Sequence, residues 1–262
     1  MTNRAYWISA LLALLSVGCG SSPNAAPRQV TVAAAADLKF AFDELIAEFE
    51  NQHTDIQVQV IYGSSGNFFA QLLNQAPYDI YFSADIAYPQ QLVERGLAVP
   101  ASQFLYAVGQ IVVWVPSTSP IDVEHLGIDA ILHPFARKVA IANPRHAPYG
   151  RAAQAALQSR GLYDQVKERL VLGENVAQTA QYIESGAADI GIIALSLAMA
   201  PAMKEKGRYW IVPLDTYPRM EQGSVILNWA QDPQAAEQFR AFVMGPQGRE
   251  ILGRYGFLLP GE

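Results

Sequence analysis

From Arg28 onward, short runs rich in β-branched residues alternate with stretches whose apolar residues recur at helical spacing. That alternation restricts the fold more than any other feature, because strands separated by helices assemble as α/β layers on a mainly parallel sheet. Residues 29–32 are predicted to form a strand that runs into the small residues 33–36. Leu38, Ala41, Phe42, Leu45, Ile46 and Phe49 then mark one face of a helix. Asp37 stands directly before that face, where an N-cap belongs. Ile56, Val58 and Val60 alternate as a strand, residues 63–67 (GSSGN) read as a loop, and a helix begins at Phe68. A strand over 78–82 and a helix over 86–94, stopped by Gly96, complete the first series.

A strongly apolar strand over 111–115, closed by Pro116, leads into a second series of the same kind. It comprises a strand at 139–142, a helix at 151–159 stopped by Gly161, a helix at 176–185 stopped by Gly186, and a strand at 190–194. A strand over 225–229 and helices over 233–243 and 248–255 close the chain. Two α/β units joined by two extended crossings account for this order. No sequence repeat accompanies it, so the pseudo-symmetry lies in element order alone.

Composition narrows the function. Apolar residues make up 51% of the chain and charged residues 16%, which fits a folded globular protein rather than a disordered one. The net charge of -6, without a Lys or Arg cluster, argues against nucleic acid as a partner. At the N-terminus, Arg4, an apolar run over 5–17 and the sequence Val17-Gly18-Cys19 read as a lipoprotein signal, although Ser16 stands where Leu is usual. Residues 1–18 are expected to be removed, Cys19 to be acylated and 19–27 to form a tether. Cys19 is the sole cysteine, so no internal disulfide is available.

Catalytic patterns are missing. His53, His125, His133 and His146 show no HExxH or i, i+4 pairing, residues 63–66 (GSSG) do not space a nucleophile elbow, and no phosphate-loop or dinucleotide fingerprint occurs. What recurs is a loop of small residues between a strand and a helix start, at Ala36-Asp37, Ser64-Ser65, Pro148-Tyr149 and Asn175-Val176. The first N–H groups of a helix lack internal partners, and the helix dipole adds partial positive charge, so such ends hold anions without Lys or Arg. In open α/β sheets these loops gather at the carboxyl ends of the strands. The same residues also suit ordinary turns, caps and core.

Six segments together carry a more specific signal: VAAAADL at 32–38, YGSSGN at 62–67, APYDIYFSAD at 76–85, NPRHAPYG at 143–150, SGAADIGIIA at 185–194, and 245–259 with its GP, RYGF and closing LL. Through them the chain resembles the periplasmic molybdate-binding proteins of ABC importers over nearly all of 29–260. The resemblance implies a two-lobed periplasmic binding protein type II fold, α/β in class, closing on its ligand by hinge bending. Lobe 1 is expected at 28–107 with 223–262, and lobe 2 at 108–222. It implies capture of molybdate or tungstate for a membrane permease, with no catalysis and no cofactor; the protein is expected to be a monomer, and the N-terminal signal is what would hold it at the membrane through Cys19. Sulfate, phosphate or a small organic acid is the alternative within binding proteins, and a secreted hydrolase the alternative outside them.

By the same match, the oxyanion falls to Asp37, Ser65, Tyr149 and Val176, through backbone N–H groups and the Ser65 hydroxyl. The chain departs from some members in carrying Asp37 where they have serine, and Ala194 where they have tyrosine. A carboxylate about 4 Å from a unit negative charge costs roughly 4 kcal/mol at an effective dielectric of 20, and about twice that beside a dianion. The expectation is therefore that the Asp37 side chain caps its helix and faces away, leaving only its N–H at the ligand.

Overall fold

The computed structural model describes residues 27–261; the expected signal sequence, Cys19 and most of the expected tether lie outside them. Ten strands carry the architecture: β1 (Arg28–Ala35), β2 (Ile56–Gly63), β3 (Ile80–Ser83), β4 (Phe104–Gly109), β5 (Ile111–Pro116), β6 (Val139–Ala142), β7 (Leu170–Gly173), β8 (Ile190–Ala194), β9 (Gly207–Ile211) and β10 (Met220–Ile226). Seven helices of eight residues or more are numbered here α1 (Lys39–Gln52), α2 (Ser65–Leu72), α3 (Ala87–Glu94), α4 (Pro148–Ser159), α5 (Val176–Glu184), α6 (Pro233–Met244) and α7 (Pro246–Arg254). No helix among the described residues is long and apolar enough to cross a membrane.

The strands form two five-stranded sheets, ordered β2-β1-β3-β10-β4 and β7-β6-β8-β5-β9. Each is built alike. β1 pairs parallel with β2 and β3 as β6 does with β7 and β8, while β10 and β5 run antiparallel to both neighbours. The chain passes from the first sheet to the second at Gln110, between β4 and β5, and returns between β9 and β10. β1 is an interior strand whose second half, Val32–Ala35, is buried on both faces, which explains why that half reads as a run of small apolar residues rather than an alternation.

α1 buries Ala41, Phe42, Leu45, Ile46 and Phe49 along one stripe. Phe42 meets Phe82 edge-on at 4.9 Å, and Phe49 meets Phe239 of α6 at 5.2 Å, so an aromatic cluster fixes α1 and α6 against the first sheet. The second sheet is packed mainly by aliphatic side chains, with Val112, Val113, Val139, Ile141, Ile190 and Ile192 all buried.

Local boundaries shifted in a consistent way. α2 begins at Ser65 rather than Phe68, and α4 at Pro148 rather than Arg151, so both loops are shorter than the sequence implies. The strand expected at 225–229 lies earlier, at Met220–Ile226, because it has to pair with β3 and β4 together. Its register slips between Gln222 and Gly223, a bulge of the kind that re-aims a side chain.

Candidate functional site

The loops singled out in the sequence meet in space. A cavity of about 10 Å³ is lined by Ala36 and Asp37 after β1, Ser64 and Ser65 after β2, Ala84 after β3, Pro148 and Tyr149 after β6, and Asn175 and Val176 after β7. All of these follow the carboxyl ends of parallel strands, where α/β sheets place their ligands. Asp37, Ser65, Tyr149 and Val176 thus line one small space, and all four are at most 3% exposed.

Three helices begin at this cavity. α2 starts at Ser65 and α4 at Pro148, neither with a side-chain cap, while Asn175 caps α5 by accepting a hydrogen bond from the N–H of Gln178 at 3.0 Å. Pro148 has no N–H, so Tyr149 presents the first one of α4. Among the opening N–H groups, Gly66 donates to the His146 carbonyl, Gly150 to the Ala147 carbonyl and Gln178 to Asn175. Ser65, Tyr149 and Val176, which line the cavity, stand in the first turns, where N–H groups lack intrahelical acceptors and carry the positive end of the helix dipole. The Ser65 hydroxyl accepts from the N–H of Ala84 at 3.0 Å, which orients the oxygen and leaves its own hydrogen for an acceptor in the cavity. No Lys or Arg lines this space. The arrangement gathers hydrogen-bond donors without a basic side chain, with the Asp37 carboxyl as the one acidic group in its lining.

Asp37 departs from expectation. It lies within a short 3-10 turn, Ala36–Leu38, and makes no cap bond to α1. Its Oδ2 instead accepts from Tyr149 Oη at 3.0 Å and from Gln222 Nε2 at 2.8 Å. Gln222 Nε2 also donates to Tyr149 Oη at 3.0 Å, and Gln222 Oε1 accepts from Tyr106 Oη at 2.9 Å. The carboxyl is therefore turned into a buried polar network by partners far along the chain. Burial, opposed by the bonds from Gln222 and Tyr149, pushes it from 3.8 up to about 6. Burial first, then the nearby Asp37 charge, holds both Tyr106 and Tyr149 well above the usual phenol value. Gly109 lies against this network: a Cβ there would come within 2.5 Å of both Gln222 Nε2 and Tyr149 Oη.

Sequence reading missed Gln222 and Tyr106. Their signal was available in part, since each is a polar residue in a strand made mostly of buried residues, but their partners are set by topology alone. The resemblance offers Tyr149 both for its place after Pro148 and as a substitute for the tyrosine some members carry at the Ala194 position; in the structure its hydroxyl bonds Asp37.

Several contacts hold the two sheets together around the cavity. Gly66 N–H donates to the carbonyl of His146 at 2.8 Å, and the Ser64 hydroxyl lies 3.0 Å from His146 Nδ1. Asn67 donates to Glu174, Ser196 Oγ donates to the Asp37 carbonyl at 2.7 Å, and Arg151 pairs with Asp85 at 2.5 Å while lying over the Tyr88 ring. Gly66 is required here, because a Cβ would stand 2.6 Å from the His146 carbonyl oxygen. A larger cavity of about 310 Å³ adjoins the first and shares Ala84 and Pro148. The Arg151–Asp85 pair occupies its wall, and it gathers no comparable set of helix starts.

Two similar α/β halves closed over a small ring of donors have the arrangement of a solute-binding protein. The chain belongs to the bacterial extracellular solute-binding protein family, whose profile matches residues 30–258. It is 34% identical to the molybdate-binding protein ModA of Rhodobacter capsulatus, over 98% of this chain and 99% of that one. ModA of Azotobacter vinelandii is 35% identical over 93% and 96%. The solved structure of the Azotobacter vinelandii periplasmic molybdate-binding protein superposes with a TM-score of 0.82 at 34% identity, covering 88% of this chain and 99% of that one. These relatives are solute-binding proteins, not enzymes.

Proposed function

We propose that this protein captures molybdate or tungstate outside the cytoplasm and delivers it to the membrane permease of an ABC importer. The observation that carries the reading is the donor ring itself: helix starts from both sheets converge on one cavity with an oriented serine hydroxyl and no cation. Five or so charge-assisted hydrogen bonds of about 1.5–3 kcal/mol each are enough for submicromolar binding once association costs are set against them. The ligand oxygens are taken by the Ser65 hydroxyl and the backbone N–H groups of Asp37, Ser65, Tyr149 and Val176. Selection against smaller sulfate follows from cavity size and from donors left unpaired.

The two lobes, divided as the sequence suggests near 107 and 223, open and close about the crossings at Gln110 and between Ile211 and Met220. Cys19 carries the lipid that holds the monomer at the membrane, two acyl chains giving stable anchoring where one is marginal. Mass spectrometry of the membrane-extracted protein tests this, and an unmodified Cys19 overturns it. Titration of ligand-stripped protein with molybdate, tungstate, sulfate and phosphate tests the function. Molybdate at one hundred times Kd raises stability by about 2.7 kcal/mol. Absence of any thermal shift with millimolar molybdate or tungstate overturns the assignment.

A further inference from the structure

The cavity meant for a dianion has a carboxyl group in its lining and no cation there to offset it. We propose that Asp37 is a specificity-determining residue that admits the oxyanion only together with one proton, so that the site selects by basicity as well as by size. The inference rests on the oxyanion-binding reading above and extends it.

The geometry assigns the proton a place. Asp37 Oδ2 already accepts two hydrogen bonds, from Tyr149 and Gln222. Oδ1 is buried and has no hydrogen-bond partner. A buried carboxylate oxygen without a donor is costly, whereas a carboxyl O–H at that position is satisfied by an oxyanion oxygen. In binding, the carboxylate, one solvent proton and the dianion combine into a neutral acid hydrogen-bonded to the dianion. No other bond changes, and the net charge enclosed falls from three negative to two.

None of the groups that bond the carboxyl carries a positive charge. Tyr149 from α4 and Gln222 from β10 bond the carboxyl, Tyr106 from β4 reaches it through Gln222, and Ser196, following β8, bonds only its carbonyl. Lys39, at the start of α1, lies over the Phe40 ring. His146 and Glu174, in the loops after β6 and β7 of the second half, lie 3.8 Å apart. The elevation of the Asp37 carboxyl to about 6 in the unliganded protein agrees with this reading. A dianion raises its proton affinity further. Because the proton is shared with the anion, a more basic oxyanion such as molybdate gains more than a weakly basic one such as sulfate.

Calorimetric titration of the ligand-stripped protein with sodium molybdate between pH 6.5 and 8.5, in two buffers of different ionisation heat, tests the proposal. The expected result is uptake of about one proton per molybdate at the alkaline end, with affinity falling up to about tenfold per pH unit. Asp37→Asn is expected to remove the uptake and the slope, and to narrow the preference for molybdate over sulfate about tenfold or more. A wild-type affinity that is flat with pH and free of proton uptake overturns the proposal without touching the oxyanion reading. So does an Asp37→Asn protein that keeps the slope, which would place the proton on another group. Failure of the wild type to bind molybdate or tungstate at any pH overturns the underlying reading instead. The proton count on the wild type decides the matter even where the variant does not fold.

Discussion

The two halves share one topology but equip the cavity differently. The first sheet's half contributes side-chain chemistry: the Ser65 hydroxyl held by Ala84, and the Asp37 carboxyl held by Gln222. The second contributes chiefly the starts of α4 and α5, with Tyr149 Oη reaching across to Asp37. One half is therefore chemically tunable by substitution, while the other acts through backbone that most substitutions leave in place. The contrast shows how a repeated architecture divides one recognition task.

The largest expected effect probes the tunable half through stability. The folded-state value of Asp37, about 6, lies above its ordinary 3.8, so its stabilising contribution is full below pH 3.8 and lost as pH rises through 6. Above that, the unliganded protein bears a penalty on the order of 3 kcal/mol from this group. Asp37→Asn should accordingly raise the melting temperature at pH 7.5 and leave it nearly unchanged at pH 4. Equal shifts at both pH values in thermal unfolding would refute the ionic origin. Next, Ser65→Ala should weaken molybdate binding by about 1.5–3 kcal/mol in calorimetry, with a small change in stability. Unchanged affinity with a lowered melting point would make Ser65 a turn residue only.

Gly66→Ala tests the seam between the halves. Its Cβ meets the His146 carbonyl at 2.6 Å, so closure should be opposed by about 1–3 kcal/mol, read as weaker binding and a more open form in small-angle scattering. An unaltered scattering profile and affinity would show that the seam yields freely. The smallest effect belongs to the backbone half: Val176→Ala should change molybdate affinity by less than about threefold, or ~0.6 kcal/mol, because the N–H remains. A loss as large as that of Ser65→Ala would erase the distinction between the halves.

The sequence discloses which residues gather at the cavity better than it discloses the sheets. Asp37, Ser65, Tyr149 and Val176 line one cavity because each follows a strand and opens a helical turn, and that punctuation is local. Buried strands such as β6 and β8 are continuous apolar runs and were placed correctly. β7 and β9 are edge strands with half-exposed residues and little alternation, and β4 is separated from β5 by Gln110 alone, so none of the three stood out. Asp37 failed as a cap for a different reason. Local propensity favours capping, but Tyr149 and Gln222, 112 and 185 residues away, offer the carboxyl stronger partners. No window of neighbouring residues contains that information.

The double crossing has a consequence for how the molecule comes into being. The second sheet uses one continuous stretch of chain, from β5 to β9, whereas the first lacks β10 until nearly everything else has emerged. β10 is no edge strand: it sits between β3 and β4 and pairs with both. During vectorial synthesis or threading across a membrane, the earlier strands must wait with open ladders for a partner more than a hundred residues downstream. Long-range pairing of this sort is slow and leaves apolar edges exposed to misassembly. The second half is thus positioned to fold first and serve as the platform on which the first half is completed.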